Sequence, residues 1–336
     1  MMIRRLILLI ILTSLLPSGF SGGKDEYLKF KTESKAIYSI CFTRSGEDLA
    51  VADGMNVKVF ETSSEKLIAE FNGGHKDRIL AIDLSADSLL LASGGKDSTV
   101  VIWDFISKGV RKSIPYAGVV STMKFSPDGK YLLFGGSGGK LVLYDINKSE
   151  IKYSFPDHSD FITSVAFSRD GKYIASSDSD GSVSIYDTET GGLINTLQRF
   201  RGLIRSIVFS CDSRKLISCG DNSRVLLWNF SDNSKKTQLE IRRYGFSWLL
   251  SVAYNENSKT YAVGSMTGVV RIVDEAGTYL KRTGVPVTGI LFIPKEGVLL
   301  TVAIATRGRG VMIIRAMDMK MKVNIRHNPK MKRNGK

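Results

Sequence analysis

One short pattern recurs along this chain at a nearly constant interval, and it constrains the fold more than any other feature. The pattern is apolar-x-x-apolar-x-apolar, usually with a small residue third. It reads IYSICF (37–42), ILAIDL (79–84), VSTMKF (120–125), ITSVAF (162–167), IRSIVF (204–209), LLSVAY (249–254) and VTGILF (287–292). The intervals between the last positions are 42, 41, 42, 42, 45 and 38 residues. A repeat of that length is one supersecondary unit whose apolar face is buried by its neighbours. The units alternate apolar and polar residues and are rich in β-branched and aromatic side chains, which marks strands. Gly is abundant at 32 and Pro scarce at 7, which suits many short strands joined by tight turns.

Each copy continues alike. A turn follows, clearest as Ser126-Pro127-Asp128-Gly129 and Ser168-Arg169-Asp170-Gly171. An apolar strand ending in small residues comes next, then a polar turn with Asp or Gly. The third strand ends in an aromatic, often followed by Asp: Trp103-Asp104, Tyr144-Asp145, Tyr186-Asp187, Trp228-Asn229. A more polar fourth segment closes the unit. Four antiparallel strands per unit, with SPDG and WD signatures, resemble the WD40 family over residues 25–316. The resemblance implies an all-β, seven-bladed β-propeller of four-stranded antiparallel blades, assigned here to residues 22–316. The ring is expected to be closed by the N-terminal strand around Tyr27–Thr32, with Met317–Ile325 as the competing closing strand. It also implies that His75, Ser93, Asp97 and Trp103 form a hydrogen-bonded set in blade two. His158, Ser176, Asp180 and Tyr186 are the matching set in blade four. These sets pin turns and perform no chemistry.

The catalytic alternatives lack their residues. The three histidines are far apart in sequence, no CxxC occurs, and GxxxxGK[ST] is missing. Gly135-Gly136-Ser137-Gly138-Gly139 lies between two strands, whereas a nucleophile elbow needs a strand-to-helix turn. The third residues of the repeated pattern (Ser39, Ala81, Thr122, Ser164, Ser206, Ser251, Gly289) face the axis of the ring, where small side chains fit and general acids or bases are lacking. No catalytic residue, no metal and no cofactor is therefore assigned. Cys41, Cys211 and Cys219 are too few and odd in number for a disulfide framework.

The ends carry most of the net charge of +14. Ten basic residues lie between Ala305 and Lys336, opposed by Asp318 alone. Residues 317–336 are read as a basic, flexible tail able to touch an acidic surface. At the other end, Arg4-Arg5 precede the apolar run Leu6–Leu16 and the breakers Pro17-Ser18-Gly19. That is the layout of a secretory signal over residues 1–21, too short to span a bilayer. It predicts an exported protein, periplasmic or extracellular in a bacterium and secretory in a eukaryote. Export argues against nucleic acid as a partner.

What remains is surface. Residues six and four positions before each pattern's end should crown one face of the ring, the narrow one. They include Tyr38, Arg78, Leu80, Phe161, Arg205 and Trp248, with the turn residues Lys96, Asn222 and Met266 nearby. Aromatic and Arg side chains are the types that anchor protein interfaces. The predicted binding residues are Tyr38, Arg78, Phe161, Arg205 and Trp248. The sequence thus reads as an exported, non-enzymatic scaffold for a protein or peptide, one propeller acting inside a complex. The alternatives are an intracellular WD40 adaptor subunit of a multiprotein complex and a propeller-type hydrolase or lactonase.

Overall fold

The computed structural model describes residues 26–317, apart from 32–36, 44, 156–157, 159, 199–201, 230–237, 245–246, 256–259, 275–276, 283–285, 288, 293–298 and 304–310. The signal-like segment 1–21 and the tail 317–336, beyond Met317, lie outside the described residues. Every regular element among those described is a strand.

After β1 (Glu26–Lys31), strands follow in groups of four. Blade one holds β2 (Ile37–Phe42), β3 (Asp48–Asp53), β4 (Asn56–Glu61) and β5 (Leu67–Phe71). Blade two holds β6 (Ile79–Leu84), β7 (Leu90–Gly95), β8 (Thr99–Asp104) and β9 (Val110–Pro115). Blade three holds β10 (Val120–Phe125), β11 (Tyr131–Gly136), β12 (Leu141–Asp145) and β13 (Glu150–Phe155). Blade four holds β14 (Ile162–Phe167), β15 (Tyr173–Asp178), β16 (Ser182–Asp187) and β17 (Leu193–Gln198). Blade five holds β18 (Ile204–Phe209), β19 (Lys215–Gly220), β20 (Arg224–Asn229) and β21 (Gln238–Arg243). Blade six holds β22 (Leu249–Tyr254), β23 (Tyr261–Ser265), β24 (Val269–Val273) and β25 (Thr278–Arg282). The remaining strands are β26 (Gly289–Phe292), β27 (Leu299–Ala303) and β28 (Val311–Met317).

The expectation of seven like blades is corrected on this point. Six blades, not seven, are built of four consecutive strands each. The last sheet is of another make, ordered β1-β28-β27-β26, so both ends of the chain contribute to it. Its outer strand is β1, paired with β28 from Glu26↔Ala316 to Lys31↔Val311; β28 itself runs to Met317. Its inner strand has four residues where those of the six blades have six. Position three of its pattern is Gly289, which has no hydroxyl, and that removes a link that five of the six blades use.

That link appears at each junction whose inner strand carries a hydroxyl third. Ser39 Oγ accepts from Ile82 N at 3.1 Å, Thr122 Oγ1 from Val165 N at 3.2 Å and Ser164 Oγ from Ile207 N at 3.2 Å. Ser206 Oγ accepts from Val252 N at 3.3 Å, and Ser251 Oγ from Ile290 N at 3.2 Å. The residues read from sequence as merely small are a belt of hydroxyls joining each inner strand to the next. Ala81 interrupts it at the junction of blades two and three.

The core lies between the sheets. Leu91, Val101 and Trp103 of blade two pack on Ala50, Val59 and Phe71 of blade one. Ile217, Val225 and Leu227 of blade five pack on Leu249, Val252 and Val263 of blade six. Blade six packs on the last sheet through Ala262, Val270 and Ile290, with Val287 just ahead of β26. Because each cluster belongs to two sheets, no blade can bury its apolar face alone.

Candidate functional site

The candidate site is best separated from the polar residues that only hold the blades. In blade two, Trp103 Nε1 donates to Ser93 Oγ at 2.8 Å, and Ser93 Oγ lies 2.7 Å from His75 Nε2. His75 Nδ1 faces both oxygens of Asp97, at 3.1 and 3.0 Å. Nδ1 therefore carries the proton, Nε2 accepts from the Ser93 hydroxyl, and Ser93 accepts from Trp103. Burial is the main influence on His75 and lowers its pKa from 6.5, against the opposing pull of Asp97. The neutral ring is the form this donor chain requires. Gly74 is needed beside it, since a Cβ there would lie 2.3 Å from the Trp103 ring.

Blade four repeats the arrangement with one correction. His158 Nε2 lies 2.6 Å from Ser176 Oγ, but its Nδ1 meets Asp178, at 2.9 Å, not the expected Asp180. Asp178 occupies the place that Gly95 holds in blade two. A Cβ at Gly95 would sit 2.7 Å from Arg78 O and 3.2 Å from Asp97 Oδ1. Blade four fills that space with the carboxylate itself, which reaches His158 from the strand end and also accepts from Ser182 N at 2.9 Å. Burial works against the charge on Asp178, yet its hydrogen bonds from His158 and Ser182 N hold its carboxyl below the ordinary value. The Tyr186 ring takes the place of Trp103 and packs 4.4 Å from Phe155. Blade five keeps a remnant, Trp228 Nε1 donating to Ser218 Oγ at 3.1 Å.

Along the inner strands, position five holds Cys41, Asp83 and Lys124 in blades one to three. Asp83 accepts from Lys124 Nζ at 2.6 Å and from Phe125 N at 2.8 Å. Burial opposes the charge on Lys124, but Asp83 outweighs it and holds the ammonium protonated. Burial is also the main cause of the raised pKa of the Cys41 thiol, with Asp83 adding to it. The carboxylate and the ammonium satisfy each other. Among the described residues, no group of three or more His, Cys, Asp or Glu side chains could hold a metal ion.

The predicted surface residues share one end of the sheets. The backbone N of the turn between the second and third strands bonds the residue ahead of the first: Lys96 N to Arg78 O at 2.9 Å, Ser179 N to Phe161 O at 3.0 Å and Met266 N to Trp248 O at 2.9 Å. In blades two to six, the ladder of the first two strands skips the second residue of the first strand. In blade one the skip takes in Tyr38 and Ser39. Such a bulge re-aims the side chain, and here it turns out Tyr38, Leu80 and Arg205.

Two of the five predicted residues meet. The Arg205 guanidinium lies 5.2 Å from the centre of the Trp248 ring. Its Nε donates to Asp221 Oδ1, and a terminal nitrogen to Asp221 Oδ2 at 3.2 Å. Asp221, in the turn of blade five, is the residue that sequence reasoning missed. Trp248 is still 49% exposed, and so is Tyr38. Arg78 is exposed and Phe161 half-buried. Tyr38, Arg78 and Phe161 stand on blades one, two and four, apart from the Arg205–Trp248 pair.

Comparison with known proteins fits this geometry. The family model "WD domain, G-beta repeat" matches residues 65–104, 113–145, 149–187 and 191–229. The human "Serine-threonine kinase receptor-associated protein" is 34% identical over 77 residues, 23% of this chain and 22% of that protein. The "Small ribosomal subunit protein RACK1" of Neurospora crassa is 35% identical over 92 residues, 27% of this chain and 28% of the relative. The chain thus spans about a quarter of the length of these curated relatives. A solved structure, "Structure of U3-55K", superposes with a TM-score of 0.74 at 16% identity, covering 87% of this chain and 98% of that one, a likeness of fold. A ribosomal subunit is an intracellular assembly, and such relatives overturn the expectation of an exported protein. The chain carries WD40 repeats, in blades that make an all-β propeller.

Proposed function

We propose that this chain is an intracellular, non-enzymatic interaction scaffold. It serves as a WD40 subunit of a multiprotein complex and takes a protein or peptide partner on the face that carries Trp248. The observation behind this reading is the Arg205–Trp248 stack. A large aromatic ring is half in water, while its neighbour is already oriented by Asp221. An anchor fixed before binding loses little side-chain freedom when a partner covers it. Arg78, Phe161 and Tyr38 extend the same end of the sheets. The names of the relatives, a receptor-associated and a ribosomal-subunit protein, support a role inside assemblies. The mutual pairing of Asp83 and Lys124 speaks against a propeller hydrolase, because neither is free to act as an acid or base.

The test compares Trp248→Ala with the parent chain in proximity labelling inside cells and in thermal melting. Truncating an interface anchor of this kind costs about 2 kcal/mol of binding or more. Partners lost at an unchanged melting temperature would support the site. The same partners retained would refute it.

A further inference from the structure

A second surface lies between blades five and six. Tyr244 follows β21, and Tyr261 opens β23; their hydroxyls are 3.2 Å apart. Arg242 lies 5.9 Å from the centre of the Tyr261 ring, and Arg271 lies 5.1 Å from that of Tyr244. The four side chains alternate Arg, Tyr, Tyr, Arg across the junction. Arg282, exposed at the end of β25, is close enough to act on Arg271.

Elsewhere in this protein the same kind of stack is neutralised. Arg205 on Trp248 is held by Asp221, and Lys130 and Lys152 over Tyr131 are held by Glu189. Among the described residues, no carboxylate lies within ion-pair distance of half-buried Arg271. Burial lowers its pKa, Tyr244 opposes that shift, and the like charge of Arg282 adds to it, so the site disfavours the cation.

We infer that the outer groove between blades five and six binds an acidic peptide segment of a protein partner, with the Arg271 guanidinium receiving one of its carboxylates. A guanidinium lying flat on a ring keeps its in-plane N–H donors at the edge, aimed away from the ring, where a carboxylate accepts two of them. Leu280, directly opposite Arg271 across the ladder and 62% exposed, offers an apolar rim for the aliphatic part of such a peptide. Single-stranded nucleic acid fits less well. It binds by stacking bases on open aromatic faces, and each of these tyrosines already has a guanidinium against its ring.

The test is a fluorescence-anisotropy titration of the full chain with a fluorescein-labelled octaglutamate peptide. The parent should bind it, more weakly as salt rises. Arg271→Gln should weaken binding about tenfold, the scale of one charge-assisted hydrogen-bond pair. Arg271→Lys should recover part of the loss, since it keeps the charge without the fork. Arg282→Gln, at an exposed position, carries the test if Arg271→Gln melts early. Trp248→Ala should bind octaglutamate like the parent, which separates this groove from the face proposed above. Binding unchanged in both the Arg271→Gln and Arg282→Gln chains would overturn the inference. So would displacement of the peptide by oligouridylate of equal charge at lower concentration, or by inorganic phosphate alone.

Discussion

Removing one hydroxyl in blade two measures how much the His75–Ser93–Trp103 set contributes to the fold. Ser93 is fully buried and sits at the centre of the donor chain. Ser93→Ala leaves Trp103 Nε1–H without its acceptor and His75 Nε2 without its donor. A buried polar group deprived of its partner costs about 1–3 kcal/mol. Two such losses give roughly 4 kcal/mol. Blade five supplies the calibration, because Ser218→Ala strands only Trp228 Nε1–H among the described residues, at roughly 2 kcal/mol. Unfolding entropy near ~2 cal/mol/K per residue makes ~0.7 kcal/mol per degree for 336 residues. The melting temperature should therefore fall by about 6 °C for Ser93→Ala and about 3 °C for Ser218→Ala.

Differential scanning calorimetry at neutral pH reads both shifts. A third chain, Trp103→Phe, removes the donor, and adding Ser93→Ala to it should cost about half as much as in the parent, since one stranded group remains. Equal shifts for Ser93→Ala and Ser218→Ala would refute the reasoning. So would a Ser93→Ala cost that is undiminished in the Trp103→Phe background.

Other outcomes follow from the same geometry. Ala81→Ser should extend the hydroxyl belt to Met123 N and raise the melting temperature by about 1–2 °C, the worth of one net hydrogen bond; a thermal melt decides. Asp178→Asn should lower stability more than Asp180→Asn by chemical denaturation, because it is Asp178 that holds His158. His75 has its pKa lowered from 6.5 by burial, so the unfolded chain takes up the proton first as pH falls. Its contribution is complete above about 6.5 and is lost as pH drops from there through the depressed folded value; melting curves of the parent and His75→Gln should converge in that window.

The fold was legible because each repeat advertises side chains that the blade needs locally. Trp103, Ser93, His75 and Asp97 lie within one unit, and Gly74 marks where the backbone must clear the indole. The blade count was less legible. The seventh copy of the pattern belongs to a sheet that takes its fourth strand from the other end of the chain, and its Gly289 lacks the belt hydroxyl. The repeat points to Asp180, but Gly95 and Asp178 exchange a hydrogen for a carboxylate at one strand end, and that moves the partner of His158 by two residues. The third-position hydroxyls were read for size, since their partner is a backbone N–H some 43 residues away that no side-chain pattern reveals.

The surface sites were legible only in proportion to how much of each lies on one strand. Arg205 and Trp248 could be chosen separately, because each occupies a fixed place in its own copy of the pattern. Asp221, which orients Arg205, lies in a turn where residue identity varies from blade to blade. The Arg and Tyr side chains of the blade five–six groove come from β21, the loop after it, β23, β24 and β25, and no local spacing joins them. This follows from how a propeller is held together. Apolar clusters and the hydroxyl belt fix each sheet against its neighbours using the inner strands and the buried faces. The outer groove and the turn ends take little part in that packing, so they can carry charge that the fold itself does not need. Arg271, which meets no carboxylate among the described residues, is of this kind, and pairing it with a partner's carboxylate would remove a cost that the isolated blade pair bears.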